Sequence, residues 1–177
     1  MIKAVLPFMR KRRAGHIINI TSMGGYIILP GIGYYCGSKF ALEAISETLS
    51  KEVRDFGIRV SAIVPGQFRT DWAGRSMTRT ERTISDYDKL MDPVRKARQN
   101  KSGKQPGDAA KAAQVLLQII EAPNPPTHLL LGDGRAEISS REASQPELRI
   151  RCVGECDKIN GLCLRSAAIY RVLPCPH

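Results

Sequence analysis

The sequence predicts an α/β fold: part of a doubly wound parallel sheet with three parallel strands, crossover helices and an irregular C-terminal tail. Short apolar runs recur three times, segments with helical spacing separate them, and glycine or proline marks several of their ends. Strands that are apolar on both faces are typical of parallel sheets covered by helices. We therefore expect one α/β domain over residues 1–133 and an irregular or disordered tail over 134–177.

Helical spacing of apolar side chains predicts three helices. The first covers residues 2–13, and the second runs from Tyr35 to about Asp55, where Gly57 ends it. The third covers residues 109–120, with Asp108 as its N-terminal cap. These segments alternate with the apolar runs, as the helices of a parallel sheet must.

The apolar runs predict the strands. "HIINITS" at 16–22 is the first, "IRVSAIV" at 58–64 is the second, and "THLLLG" at 127–132 is the third. Residues 67–105 are polar, basic and poorly periodic, and a connection of that length is usually a lid, a binding segment or a set of short helices. The tail contains only one short apolar stretch, at 166–173.

Composition and charge exclude several classes of function. The chain has a net charge of +10, but the basic run at 10–13 closes a helix, where cations are favourable, and the other arginines are scattered. We therefore expect no nucleic-acid and no membrane partner, with a basic module that binds nucleic acid or an anionic membrane as an alternative. No apolar run is long enough to span a bilayer and no secretory signal is present, which predicts a soluble, cytoplasmic protein.

The cysteines predict neither disulfides nor a metal. There are five, an odd number, which favours reduced thiols in a chain without a secretory signal. Four of them lie in the last 26 residues, and their spacing lacks the paired C-x2-C of structural zinc sites.

Three polar side chains define a candidate catalytic site. Ser22 ends the first strand, Tyr35 begins the following helix, and Lys39 lies four residues further on, so it shares a helix face with Tyr35. A fixed ammonium group near a phenol favours the phenolate, which makes a phenol usable as a general acid or base. A serine hydroxyl at the neighbouring strand end can stabilise charge on the same substrate oxygen. The residue four positions after Tyr34 is Ser38, not a lysine, so Tyr34 lacks the tyrosine–lysine spacing.

The ordered set "GHIINITSMGG", "YYCGSKFAL" and "IRVSAIVPGQFRT" resembles the catalytic half of the short-chain dehydrogenase/reductase family, over about residues 2–132. The resemblance implies a Rossmann-like fold and an oxidoreductase that interconverts an alcohol and a carbonyl by hydride transfer with NAD or NADP. It implies that Ser22 holds the substrate oxygen, that Tyr35 is the general acid or base, and that Lys39 contacts the nicotinamide ribose. It also implies that Pro65, Gly66 and Thr70 form the loop at the nicotinamide end of the cofactor.

The resemblance has limits that define a second hypothesis. The family's T-G-x-x-x-G-x-G turn, which holds the cofactor pyrophosphate, has no match in this sequence, and neither does its catalytic asparagine. A truncated, catalytically incompetent fragment is therefore the alternative to an active enzyme. The resemblance also implies a small-molecule alcohol or carbonyl substrate, and a homo-oligomer formed through the helices at 2–13 and 35–55.

Overall fold

The computed structural model describes residues 1–132 and the backbone of residues 150–153. In these residues the chain forms four α-helices and four strands, joined by loops and short 3-10 turns. The helices are α1 (Ile2–Arg12), α2 (Gly33–Val53), α3 (Asp88–Lys101) and α4 (Ala109–Glu121). The strands are β1 (Gly15–Ile20), β2 (Ile58–Pro65), β3 (His128–Leu131) and β4 (Ile150–Val153).

The strands form one sheet in the order β1-β2-β3-β4, and every pair is parallel. Gly15 of β1 lies opposite Ile58 of β2, and Ala62 of β2 lies opposite His128 of β3. The predicted α/β class with a parallel sheet is confirmed. Within the described residues β1 pairs only with β2, so one of its long edges carries no strand.

The core lies on both faces of the sheet because side chains alternate along each strand. On one face, α1 and α2 cover a cluster made of Ile17, Leu49, Val53, Ile58 and Val60. On the other face, α4 covers a cluster made of Ile63, Ile119, Leu129 and Leu131. Apolar residues therefore occupy both faces of β2, which agrees with its almost continuous apolar sequence.

The turn after α1 contacts the turn before β2, just before β1 and β2 begin to pair. Arg13 ends α1 in the left-handed conformation, with a φ of 53°, and its guanidinium donates to the carbonyl oxygen of Asp55 over 3.0 Å. Gly57 precedes β2 with a φ of 70°, and a Cβ atom added to it would lie 2.3 Å from the carbonyl oxygen of Arg13. The close approach of these two turns brings β1 and β2 into register.

The structure differs from the sequence prediction in two places. Residues 67–105, predicted as a lid, a binding segment or short helices, contain the 14-residue helix α3. Residues 150–153 of the predicted irregular tail add β4 beside β3. The remainder of the tail, including the apolar stretch at 166–173, lies outside the described residues. Of the helices that the structure describes, none is long and apolar enough to cross a membrane.

His16 lies near the amino end of β1, and its two ring nitrogens differ in their hydrogen bonding. Its Nε2 lies 3.0 Å from the hydroxyl oxygen of Ser61, whose own proton is donated to the carbonyl oxygen of Pro126 over 2.6 Å. The Nδ1 atom is buried and has no hydrogen-bond partner among the described residues. Burial first, and then the positive charge of Arg59, lower the pKa of His16 below its ordinary value.

The lowered pKa of His16 predicts that acid destabilises the fold. The unfolded chain takes up a proton on this residue as the pH falls through about 6.5, whereas the folded chain does so only at lower pH. The free energy of unfolding should therefore decrease from pH 7.5 to pH 5. Urea unfolding of the native chain and of His16→Gln at several pH values would measure this. The variant retains a donor to Ser61, so its loss should be smaller, and equal pH dependence in both proteins would contradict the assignment.

Candidate active site

The predicted site residues lie at the carboxyl edge of the sheet. Ser22 follows β1, Pro65 is the last residue of β2, and Gly66 comes next. The backbone N–H of Gly66 donates to the carbonyl oxygen of Leu131, at the end of β3, over 2.8 Å. Because the strands are parallel, their carboxyl ends meet on one side of the sheet, which is where α/β folds bind their ligands.

Ser22 begins the short 3-10 turn Met23–Gly25. Its hydroxyl oxygen accepts the backbone N–H of Gly24 over 3.1 Å, and its backbone is extended. The side chain is buried, so the turn fixes its direction. Since the oxygen acts as an acceptor in this bond, its proton is available to a second acceptor, such as a substrate oxygen.

Tyr35 and Ser22 lie next to each other beside Gly24. A Cβ atom added to Gly24 would lie 2.9 Å from Cε1 of Tyr35 and 3.5 Å from the hydroxyl oxygen of Ser22. A side chain at this position would therefore displace the tyrosine ring from the serine. Tyr35 is half-buried, whereas Tyr34 is fully exposed at 100%, so only Tyr35 joins the cluster.

Lys39 lies one turn after Tyr35 on the same face of α2. Its Nζ donates to the carbonyl oxygen of Ile20, the last residue of β1, over 3.0 Å. The same Nζ lies 5.8 Å from the centre of the Tyr35 ring. The bond to Ile20 therefore places a positive charge near the phenol at the end of the strand that Ser22 follows.

Thr70 joins this cluster through a residue that the sequence analysis did not select. Its hydroxyl oxygen accepts the backbone N–H of Trp72 over 3.4 Å, at the start of the 3-10 turn Asp71–Ala73. The indole ring of Trp72 packs against the Tyr35 ring with 5.6 Å between their centres. Trp72 is the single tryptophan of the chain and lies two residues after Thr70, and this position was the signal available in the sequence.

Glu43 forms a second polar cluster that the sequence analysis also missed. It is buried on α2, and its Oε2 accepts the hydroxyl of Tyr26 over 3.1 Å and lies 3.3 Å from Nε2 of His128. Glu43 follows Lys39 by four residues, so the two residues share the inward face of α2. An acidic residue on that face was the signal available in the sequence. The cluster connects α2, which carries Tyr35 and Lys39, to β3 and to the loop after Ser22.

The segment between β2 and α4 is tied to the loop that precedes α2. The guanidinium of Arg98, on α3, donates to the carbonyl oxygen of Pro30 over 2.8 Å. At the amino end of α3, Arg82 bonds to both Asp88 and Asp92. The bond from Arg98 therefore ties α3 to the loop before α2, and the bonds from Arg82 tie the chain before α3 to the start of that helix.

Among the described residues, no group of three or more histidine, cysteine, aspartate or glutamate side chains is placed to hold a metal ion. Cys36, on α2, is buried and has a free thiol. The cysteines of the tail lie outside the described residues.

Comparison with known proteins finds similarity to one family. Residues 1–81 match the family model described as short chain dehydrogenase. An oxidoreductase of Botryotinia fuckeliana is 35% identical over 142 residues, covering 80% of this chain and 51% of its own. The 3-ketodihydrosphingosine reductase of Bacteroides thetaiotaomicron is 37% identical over 135 residues, covering 75% of this chain and 49% of its own.

A solved structure supports the same comparison. The crystal structure of a short-chain dehydrogenase from Streptomyces avermitilis superposes with a TM-score of 0.68 at 35% identity, covering 80% of this chain and 51% of that one. The chain thus spans about half the length of the curated relatives it matches.

Proposed function

Because the chain carries a partial domain of the short-chain dehydrogenase family, we propose that its site interconverts an alcohol and a carbonyl with Tyr35 as the general acid or base. The resemblance found in the sequence is confirmed, and with it the oxidoreductase family. Ser22 and Lys39 complete the proposed catalytic set. The domain is proposed to cover residues 1–133, with 134–177 as a tail.

One observation carries this proposal: three chemically suited side chains converge at the carboxyl end of β1. The Tyr35 ring and the Ser22 hydroxyl lie beside the same glycine, Gly24. The Lys39 ammonium is bonded to the last carbonyl group of β1. The set supplies two hydroxyl donors and one positive charge to a single location, as proton transfer to a substrate oxygen requires.

In the direction of reduction, the substrate carbonyl oxygen accepts hydrogen bonds from the hydroxyl groups of Ser22 and Tyr35. As the carbonyl carbon gains a hydride, its oxygen becomes negative and takes the proton of Tyr35, which leaves a phenolate. The ammonium of Lys39, 5.8 Å from the ring centre, stabilises this negative charge. In oxidation the same groups act in reverse, with Tyr35 accepting the proton of the alcohol.

The donors at this edge fit the nicotinamide end of NAD or NADP. Lys39 and Tyr35 offer an ammonium and a phenol hydroxyl that suit ribose hydroxyl groups. Pro65 ends β2 at the same edge, Gly66 and Thr70 come after it, and these residues would hold the nicotinamide ring. When bound, the cofactor supplies or accepts the hydride. The choice between NAD and NADP depends on residues at the adenosine end, which this set does not include.

Ser22→Ala tests the site through the hydroxyl group that holds the substrate oxygen. Removal of one donor to a developing oxyanion lowers kcat by about 10²–10³-fold, so we expect a loss of this size in nicotinamide-linked ketone reduction. Ser22→Thr keeps both the hydroxyl group and the cap on Gly24, and should retain most of the rate. Equal rates in the native protein and Ser22→Ala would contradict the role of this serine, and circular dichroism would show whether each variant is folded.

The alternative of a catalytically incompetent fragment makes a different prediction about cofactor binding. Under our proposal, fluorescence titration of the 177-residue chain with NADH and with NADPH shows saturable binding of at least one of them. Absence of binding to both would favour the incompetent fragment. The same titration separates NAD from NADP use.

Two further expectations stay predictions: a cytoplasmic location and a homo-oligomer formed through α1 and α2. Phe8 of α1 and Ile45 of α2 are exposed at 71% and 53%, which supports self-association through these helices. A shallow groove between the helices is lined by apolar atoms of Ile2, Ala44, Ile45 and Leu49.

A further inference from the structure

Trp72 places an aromatic surface directly beside the proposed catalytic phenol. Its indole centre lies 5.6 Å from the centre of the Tyr35 ring, and the two ring planes meet at 51°. Trp72 is 45% exposed, so part of this apolar residue remains accessible beside the Tyr35 ring. A molecule that approaches the Tyr35 hydroxyl from solvent therefore meets a large apolar surface.

The backbone on both sides of Trp72 is fixed by hydrogen bonds. The hydroxyl of Thr70 caps the N–H of Trp72 itself. Ala73, the next residue, is buried, and its carbonyl oxygen accepts the guanidinium of Arg79 over 2.7 Å. The turn thus fixes the backbone of Trp72, from which the indole reaches the Tyr35 ring.

The charged residue that precedes Trp72 already has a partner. Asp71, the preceding residue, is bonded to Arg75 over 2.5 Å. The carbon atoms of the indole offer no hydrogen bonds, so a polar substituent placed against the ring would lose water without regaining hydrogen bonds to it, whereas an apolar one would gain by covering the ring.

We propose that Trp72 is the specificity-determining residue of this site. Its indole forms a wall beside the Tyr35 hydroxyl and selects alcohols and carbonyl compounds whose reacting carbon carries an apolar ring or a branched hydrocarbon group. The inference rests on the proposed function, because it takes the Tyr35 hydroxyl as the point at which the substrate oxygen binds. It adds the substrate class, which Tyr35, Ser22 and Lys39 do not define.

The first test uses Trp72 as its own reporter, because the chain has one tryptophan. The full chain is titrated with cyclohexyl methyl ketone and, as the polar control, with dihydroxyacetone. We expect a saturable blue shift of the indole emission with the ring ketone, since the ligand removes water from a partly exposed ring, and no shift with dihydroxyacetone. An unchanged emission with the ring ketone, or the same shift with both ketones, would overturn the proposal.

The second test measures affinity by ligand-observed NMR in matched variants. Trp72→Ala should weaken binding of the ring ketone about five- to tenfold, as expected for one lost aromatic contact, and leave dihydroxyacetone unchanged. Trp72→Phe keeps an aromatic wall and should restore most of the affinity. Tyr34→Ala removes a neighbouring aromatic residue that is fully exposed, and should have no effect. Equal ring-ketone affinity in Trp72→Ala and the native chain would overturn the proposal.

The two proposals fail in different ways. If Tyr35→Phe retained full turnover, the acid–base role of Tyr35 would fail. The emission and affinity measurements would still test whether the ligand contacts the indole of Trp72. If the ring-ketone preference survived in Trp72→Ala, the specificity role would fail and the acid–base role would stand. A shift produced by NADH alone and insensitive to the ketone would assign Trp72 to the cofactor, and would also overturn the specificity role.

Discussion

Tyr35→Phe is expected to lower kcat/KM for nicotinamide-linked carbonyl reduction by about 10²–10⁴-fold, the usual contribution of a positioned general acid. The substitution removes the hydroxyl group and keeps the ring. Phenylalanine can therefore still pack against Trp72 and beside Gly24, so the fold should be preserved. The loss should occur mainly in kcat, because the proton is transferred in the transition state.

Tyr34→Phe is the matched control for this experiment. It makes the same chemical change at the preceding residue, which is fully exposed. Both variants would be assayed by the change in nicotinamide absorbance over a range of substrate concentrations. Comparable rates in Tyr35→Phe and Tyr34→Phe would exclude Tyr35 as the proton donor.

Gly57→Ala is expected to cause the largest loss of stability, about 3–5 kcal/mol in the free energy of unfolding. The left-handed conformation of Gly57, with a φ of 70°, is itself unfavourable for alanine. The new Cβ would also lie 2.3 Å from the backbone oxygen of Arg13, which cannot move without disturbing the pairing of β1 with β2. Strain and steric overlap therefore act at the same position.

Gly103→Ala separates these two contributions. Gly103 has a φ of 77°, and nothing lies within 4 Å of the Cβ that alanine would add. This variant should lose only the conformational part, about 1–2 kcal/mol. Urea unfolding of both variants gives the difference, and equal losses would show that the contact between the two turns does not constrain the sheet.

The sequence predicted the helices and strands that are marked by the spacing of residues near one another along the chain. The three apolar runs became β1, β2 and β3, because a buried parallel strand needs apolar residues on both faces. The cap at Asp108 was also visible, and its carboxylate accepts the backbone N–H groups of Ala110 and Lys111. The spacing from Tyr35 to Lys39 correctly placed both on one face of α2.

The parts that were missed depend on contacts between distant residues. The helix α3 has no buried residue and contains Pro93, and its few apolar residues stand among many charged ones, so the sequence marks it only weakly. Trp72 approaches Tyr35 only because the chain after β2 returns across the site. The partners of Glu43 come from β3 and from the loop after Ser22, which the sequence alone does not bring together.

The alternative of a basic interaction module is less favoured by the contacts of its arginines. Arg69 bonds to Asp108, and Arg75 bonds to Asp71. Arg82 bonds to two aspartates at the start of α3. Surface ion pairs of this kind are weak, but a nucleic-acid or lipid phosphate would have to compete with each of them.

In the part of the chain that the structure describes, one long edge of β1 carries no strand, which has a consequence for how the protein behaves during refolding. Exposed main-chain groups on an edge strand can pair with the same groups of another molecule, and Ile20 at its end is 48% exposed. Association of two molecules is second order in concentration, whereas folding of one molecule is first order. Dilution therefore slows the pairing of edge strands from two molecules without slowing folding. The yield of monomeric protein should rise as the refolding mixture is made more dilute.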